Sequence, residues 1–272
     1  MSITRFVTVG QYTLHYRLDG VGAPGTATGT PLVFINSLGS DLRIWDGLIA
    51  AFAPHYPIIR YDKRGHGLSD CPPGPYTLRD HTADLAGLLA GLQMRSAILI
   101  GVSVGGMIAL DFAHQYPERV QGLVLCDTGA KIGTADYWTE RSMAVRQGGL
   151  ASLAPTILAR WFSSTFAEAA PAAYRGYTNM LTRTPLEGYA ATCEALRDAD
   201  LRAVVTRIGA PALVLCGDED QATPPSLGQA LADALPNARF ALIPQAGHIP
   251  SIEQPQALTT AIQHFLEEIH HG

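Results

Sequence analysis

Charge is scarce in this chain of 272 residues. Lys, Arg, Asp and Glu make up 16% of it, against roughly 25% in an ordinary soluble protein. Much of the sequence is therefore available for burial, and disorder is excluded. Positive charge has no excess: 19 Lys+Arg stand against 24 Asp+Glu, a formal net charge of −5. That balance leaves no basic footprint for nucleic acid. Long apolar runs are missing too. Gly, Pro or a charge interrupts every stretch before the roughly 18 residues of a membrane span, so no membrane partner is expected. The opening MSITRFVTVGQY lacks the apolar core of a signal peptide, which predicts a cytoplasmic location. Cysteine is sparse: Cys71, Cys126, Cys193 and Cys216 lie far apart, with no C-x-x-C pair. Neither a disulfide framework nor a structural metal is indicated. Cys126 and Cys216 fall in apolar runs and read as buried thiols.

The length suits one large domain, or one domain carrying an insertion. Short β-like runs alternate with helical patterns, which predicts an α/β fold with a mostly parallel central sheet and flanking helices. Residues 6–9 and 12–18 read as an opening hairpin. Further strands are expected at 32–36, 58–61, 97–102, 122–126, 212–216 and 240–243, each bounded by Gly, Pro, Asn or Asp. Residues 80–92 place Leu85, Leu88, Leu89 and Leu92 on one helical stripe. Residues 255–269 do the same with Leu258, Ile262, Phe265, Leu266 and Ile269. Residues 20–30 read as a Gly/Thr/Pro loop. The alternation stops between about 131 and 200, where no strand candidate appears. The expected organisation is a core formed by 1–130 and 201–272, with 131–200 inserted as a helical cap. Such an insertion at the C-terminal edge of the strands would cover the place where α/β folds bind ligands.

Gly101-Val102-Ser103-Val104-Gly105 follows the apolar run 97–100 and precedes a helical pattern at 104–114. G-x-S-x-G alone is a weak signal in a chain with 27 glycines. Placed between a strand and a helix it reads as a nucleophile elbow, whose small flanking residues permit a strained, closely packed turn. A serine hydroxyl needs a base to take its proton, and the base needs an orienting acid. His248 lies in a loop just after the strand at 240–243, in the chain order such a triad requires. His15, His55, His81, His114 and His264 fall in strand or helix patterns, His270 and His271 at the tail, and His66 ahead of the serine. The acid is expected after the strand at 212–216, where Asp218, Glu219 and Asp220 follow Gly217. Asp220 has the better reach back toward His248; Asp218 remains open on these grounds. Acyl transfer also needs donors for an oxyanion. The backbone N–H groups of Val104 and Leu38 are the candidates, the latter in the loop after the strand at 32–36.

These residues resemble the α/β-hydrolase superfamily over essentially the whole chain. Arg60-Tyr61-Asp62-Lys63-Arg64-Gly65-His66-Gly67-Leu68-Ser69 looks like that family's R-x-D-x-R-G-x-G-x-S segment, which is structural there. Within the superfamily the chain is most similar to the 3-oxoadipate enol-lactonases of aromatic-compound catabolism. Asn36-Ser37-Leu38-Gly39-Ser40-Asp41 is similar to their N-S-L-G-x-D, and His248-Ile249-Pro250-Ser251-Ile252-Glu253-Gln254-Pro255 to their H-I-S-N-x-E-Q-P. The cap stretches Ile132-Gly133-Thr134, Trp138, Arg141, Arg160-Trp161-Phe162, Glu187-Gly188-Tyr189-Ala190 and Cys193-Glu194-Ala195 carry the rest of the likeness. Departures are Pro250-Ser251 in place of Ser-Asn beside the histidine, and Val104 where Met is common. The resemblance implies Ser103 as nucleophile, His248 as base, Asp220 as acid, and no cofactor. It implies a carboxylic ester hydrolase whose partner is a small anionic lactone. A free carboxylate on that substrate calls for a cation, for which Arg141 and Arg160 are candidates, with Trp138 as a pocket wall. The alternatives on the same triad are a C–C bond hydrolase of ring-cleavage products, a general carboxylesterase, or a cofactor-free perhydrolase or haloperoxidase. A non-catalytic binding protein on a hydrolase fold is a more distant one.

Overall fold

The computed structural model describes residues 3–20 and 29–271. The loop expected at 20–30 lies largely outside the described residues. Eight strands form one sheet: β1 (Ile3–Val9), β2 (Tyr12–Gly20), β3 (Leu32–Ile35), β4 (Pro57–Tyr61), β5 (Ala97–Val102), β6 (Val120–Cys126), β7 (Ala212–Gly217) and β8 (Ala238–Ile243). Their order is β1-β2-β4-β3-β5-β6-β7-β8. The opening hairpin pairs antiparallel with itself and with β4, and every later pairing is parallel. Helices cover both faces, and so β3, β5 and β7 are buried along their whole length and read as unbroken apolar runs. β8, at the edge, is exposed or half-buried until Ile243 and begins at Ala238, two residues before its apolar run.

The helices that frame the sheet are α1 (Asp46–Phe52), α2 (Leu78–Gly91) and α3 (Val104–Gln115). α2 starts earlier than its leucine stripe. Thr77 accepts from the Asp80 N–H, and the Asp80 carboxylate accepts from the Thr77 N–H. This reciprocal box satisfies two donors that a helix start leaves without partners. α3 is buried from Val104 to Ala113.

Four helices separate β6 from β7: α4 (Ala135–Trp161), α5 (Phe166–Ala169), α6 (Pro171–Thr182) and α7 (Leu186–Asp198). α4 is two helices joined at Gly149, which sits at φ 72°. After β7 come α8 (Pro225–Ala234), α9 (Pro250–Glu253) and α10 (Pro255–His271), the last burying Leu258, Ile262, Phe265 and Leu266. Pro250, the departure beside His248, takes the first position of α9, where a missing N–H costs nothing. Cys126, Cys193 and Cys216 are buried. Cys71 is exposed, in a Pro-rich loop outside any strand.

The sheet order decides where chemistry can gather. β3 and β5 are neighbours, with Ile35 opposite Gly101, so the loops that follow them emerge side by side. β7 and β8 are neighbours in the same way, with Gly217 opposite Ile243.

Candidate active site

Ser103 stands between β5 and α3 at φ 59° and ψ −121°, a conformation that costs a non-glycine residue of order 1–3 kcal/mol. The surroundings hold it there. Its N–H donates to the Cys126 carbonyl at 3.0 Å, and its own carbonyl accepts from Gly106 N–H at 2.9 Å and Thr128 Oγ1 at 2.7 Å. The two flanking glycines are required by contact. A Cβ on Gly101 would come within 2.4 Å of Gly105 backbone, and one on Gly105 within 2.3 Å of the Ile35 carbonyl oxygen.

The loop after β8 brings His248 to the loop after β7. His248 Nδ1 lies 2.9 Å from Asp220 Oδ2, and both residues are buried. Asp220 also accepts from Thr223 Oγ1 at 2.6 Å and from the N–H groups of Ala222 and Thr223 at 2.7 and 3.1 Å. Burial pushes the Asp220 carboxyl up, but His248 and the Thr223 donors outweigh it and hold the acid below the ordinary aspartate value. An ionised carboxylate only accepts, which fixes the proton of neutral His248 on Nδ1 and leaves Nε2 free to accept. Asp218 is turned elsewhere and accepts from the Ala246 N–H. The structure therefore brings Asp220, and not Asp218, to the histidine.

A cavity of about 310 Å³ is lined by Ser103 and His248 on the core side. Leu38 lines it as well, from the loop after β3. Val104 is the first residue of α3, so its N–H belongs to the set that a helix leaves without an internal partner. The opposite wall comes from the helical insertion: Tyr137, Trp138, Arg141, Arg160 and Tyr189. Trp138 is held as a wall by its Nε1, which donates to the Ile132 carbonyl at 2.6 Å.

The sequence pattern does not single out Tyr137, and Tyr189, part of the cap likeness, is not marked there as a wall. Tyr137 lies four residues before Arg141, the spacing that makes helical neighbours, and that spacing was the available signal. Its hydroxyl accepts from Arg141 at 2.7 Å and from Arg160 at 3.3 Å. Both guanidinium groups also lie over its ring, 5.4 and 5.5 Å from the centroid. Arg160 reaches on to the carbonyls of Gln221 and Ala222 at 3.1 and 3.4 Å, tying the insertion to the loop that carries the acid. Neither arginine forms an ion pair among the described residues. Glu253 makes a second tie, accepting from Gly247 N–H at 2.8 Å and from Ser163 Oγ at 2.6 Å.

Among the described residues, Asp127, Cys216 and Asp220 are the group whose ligand-type atoms come together, all within 4.8 Å. Their chemistry does not suit a metal. The Cys216 thiol donates to the Gly217 and Thr223 carbonyls, and burial pushes its ionisation far up. Asp127 is fully buried, and burial followed by the charge of Asp220 drives its carboxyl well above the usual range. Asp220 is committed to His248.

The α/β-hydrolase-fold family matches residues 30–255 of the chain. A 3-oxoadipate enol-lactonase from Acinetobacter baylyi is 38% identical over 239 residues, 88% of this chain and 89% of that protein. A putative non-heme bromoperoxidase from Mycobacterium tuberculosis is 31% identical over 89% of this chain and 95% of its own. The crystal structure of an enol-lactonase from Burkholderia xenovorans superposes with a TM-score of 0.93 at 37% identity, covering 97% of this chain and all of that one. Matched in sequence and in fold over most of its length, the chain belongs to the α/β-hydrolase family and is a hydrolase.

Proposed function

We propose that this protein is a serine carboxylic ester hydrolase that opens 3-oxoadipate enol-lactone to 3-oxoadipate through an acyl-enzyme on Ser103, in the catabolism of aromatic compounds. The observation that carries the reading is one cavity lined by Ser103, His248, Arg141 and Arg160, in which neither arginine has a carboxylate partner among the described residues. Two uncompensated guanidinium groups opposite a serine and a histidine suit a small ester that bears a free carboxylate. Likeness to the enol-lactonases of Acinetobacter baylyi and Burkholderia xenovorans supports the same substrate.

The reaction follows from the roles. Ser103 Oγ attacks the lactone carbonyl as its proton passes to His248 Nε2, and Asp220 steadies the imidazolium. The carbonyl oxygen, now negative, accepts from the N–H groups of Leu38 and Val104. The C–O bond of the ring breaks, and the enol oxygen takes the proton from His248. Tautomerisation of the enol to a ketone removes the group best placed to close the ring again. Water then gives a proton to His248 and its hydroxyl to the acyl carbon. Ser103 is released with its proton restored. The helical insertion acts as a cap that supplies the cationic wall.

Hydrolysis of freshly generated enol-lactone by purified protein, with Ser103→Ala alongside, tests this directly. Turnover should fall by at least about a thousandfold in the variant. Arg141→Ala and Arg160→Ala should raise KM for the anionic lactone about tenfold or more, the scale of a charged hydrogen bond, and leave a neutral ester nearly unchanged. Turnover of simple esters without the lactone would make the protein a general carboxylesterase and sink the substrate assignment.

A further inference from the structure

Lys63 is fully buried beneath the loop that follows β3, and its Nζ donates to the Ser37 carbonyl at 2.6 Å. It forms no ion pair among the described residues. Three other donors converge on the same oxygen: Ser40 Oγ at 3.0 Å, the Ser40 N–H at 3.3 Å and Asn36 Nδ2 at 3.4 Å. Such crowding on one carbonyl, with a buried lysine among its donors, has no evident use in packing; an apolar side chain would fill the space at less cost. The peptide concerned is the Ser37–Leu38 bond, and its other pole is the Leu38 N–H.

We infer that Lys63 is a positioning residue for the oxyanion donor: by holding the Ser37 oxygen it aims and polarises the Leu38 N–H. The inference rests on the acyl-transfer reading, in which that N–H meets the oxyanion. A trans peptide is planar, with C=O and N–H pointing in opposite directions. Fixing the oxygen on the buried side therefore turns the N–H toward the cavity that Leu38 shares with Ser103. Donation to the oxygen also strengthens the N–H as a donor, because bonds in a chain polarise one another. Burial pulls the Lys63 ammonium well below the usual lysine range, while Asp62 and Asp41 raise it. An amine and an ammonium both donate, so the geometry survives either state. Next along the loop, the Gly39 N–H donates to buried His66 Nε2 at 3.0 Å, fixing the following peptide as well.

Lys63→Met keeps the length and removes the donor. With p-nitrophenyl acetate, kcat should fall about ten- to a hundredfold with KM within about threefold, part of the cost of losing an oxyanion donor outright. Phenylboronic acid becomes tetrahedral on the serine, whereas benzoate stays planar. Boronate binding should weaken at least about tenfold in the variant, and benzoate binding by less than about threefold. Equal weakening of both, or no change in either, overturns the inference. Should Lys63→Met fail to fold, Ser40→Ala removes another donor from the same oxygen and must lower the boronate-to-benzoate affinity ratio by at least about threefold; an unchanged ratio overturns the inference equally. Because neither probe is the lactone, a wrong substrate assignment leaves this comparison intact.

Discussion

Asp127 and Asp220 both lie beyond the ends of adjacent strands, β6 and β7, yet their surroundings treat them differently. Asp220 gathers Thr223, two backbone N–H groups and His248, and stays ionised. Asp127 Oδ1 accepts from the Gly217 N–H at 2.8 Å, but its Oδ2 is buried without a partner. One negative charge is kept under the imidazole, and burial together with that charge pushes the second carboxyl well above the usual aspartate range. Asp220→Asn should lower kcat about ten-thousandfold, because an amide presents a donor to Nδ1 and favours the wrong tautomer. Single-turnover kinetics would show the loss in acylation. For Asp127 the test is stability. Its folded pKa is raised, so the native state binds its proton more tightly than the unfolded chain does, and stability falls as pH rises from the unfolded value through the folded one. Asp127→Asn has no such proton to lose. The melting-temperature difference between Asp127→Asn and wild type should therefore grow in the variant's favour from about pH 4 to pH 8. A constant difference across that range would mean that Asp127 is charged.

Secondary elements were legible where a stripe or an apolar run fills them. The parallel strands, α3 and α10 are of this kind, since burial on both faces or along one stripe leaves a direct mark on the sequence. The misses share a cause: the determinant is a contact outside the apolar pattern. α2 begins at Leu78 because Thr77 and Asp80 cap each other, and a leucine count cannot see that. Thr77→Ala should cost about 1 kcal/mol, a fall of roughly 2–4 °C in Tm by calorimetry. α4 hides its periodicity because Gly149 breaks the helix axis and Pro155 sits inside it. β8 loses its first two residues to the edge, where Arg239 pairs with Glu268 on α10. The site divides in the same way. Chain order and strand ends point to Ser103 and His248. Choosing between Asp218 and Asp220 takes the turn in which the Asp220 N–H donates to the Gly217 carbonyl while Asp218 holds Ala246. Tyr137 was invisible for the opposite reason, since an aromatic beside a tryptophan looks like packing until two arginines are seen on it.

In the whole molecule, the shape of the cavity depends on how closely the insertion seats on the core. At one tight seat the approach is backbone on backbone: a Cβ on Gly188, in α7, would lie 2.1 Å from the Gly65 carbonyl oxygen and 2.4 Å from its Cα. Gly188 therefore has no room to gain a methyl group without moving α7. The adjacent Tyr189 is a cavity wall, and the Thr184 hydroxyl donates to the Gly39 carbonyl at 3.2 Å in the loop that carries Leu38. Arg146 on α4, paired with Glu187 and Glu194, braces α7 from outside, but these partly exposed pairs contribute little against a steric clash. Gly188→Ala should lift α7 from the core and widen the cavity. The lactone KM should rise about tenfold, because misplaced walls cost binding and orientation, with a Tm loss of several degrees, as overpacking costs about 1–3 kcal/mol. Gly176→Ala is the control. It sits in α6 with no atom within 4 Å of the added Cβ, and Ala in a helix is favoured over Gly by about 0.5–1 kcal/mol. That variant should melt slightly higher and keep wild-type KM. If Gly188→Ala behaves like Gly176→Ala, the fit of the insertion on the core does not govern substrate binding.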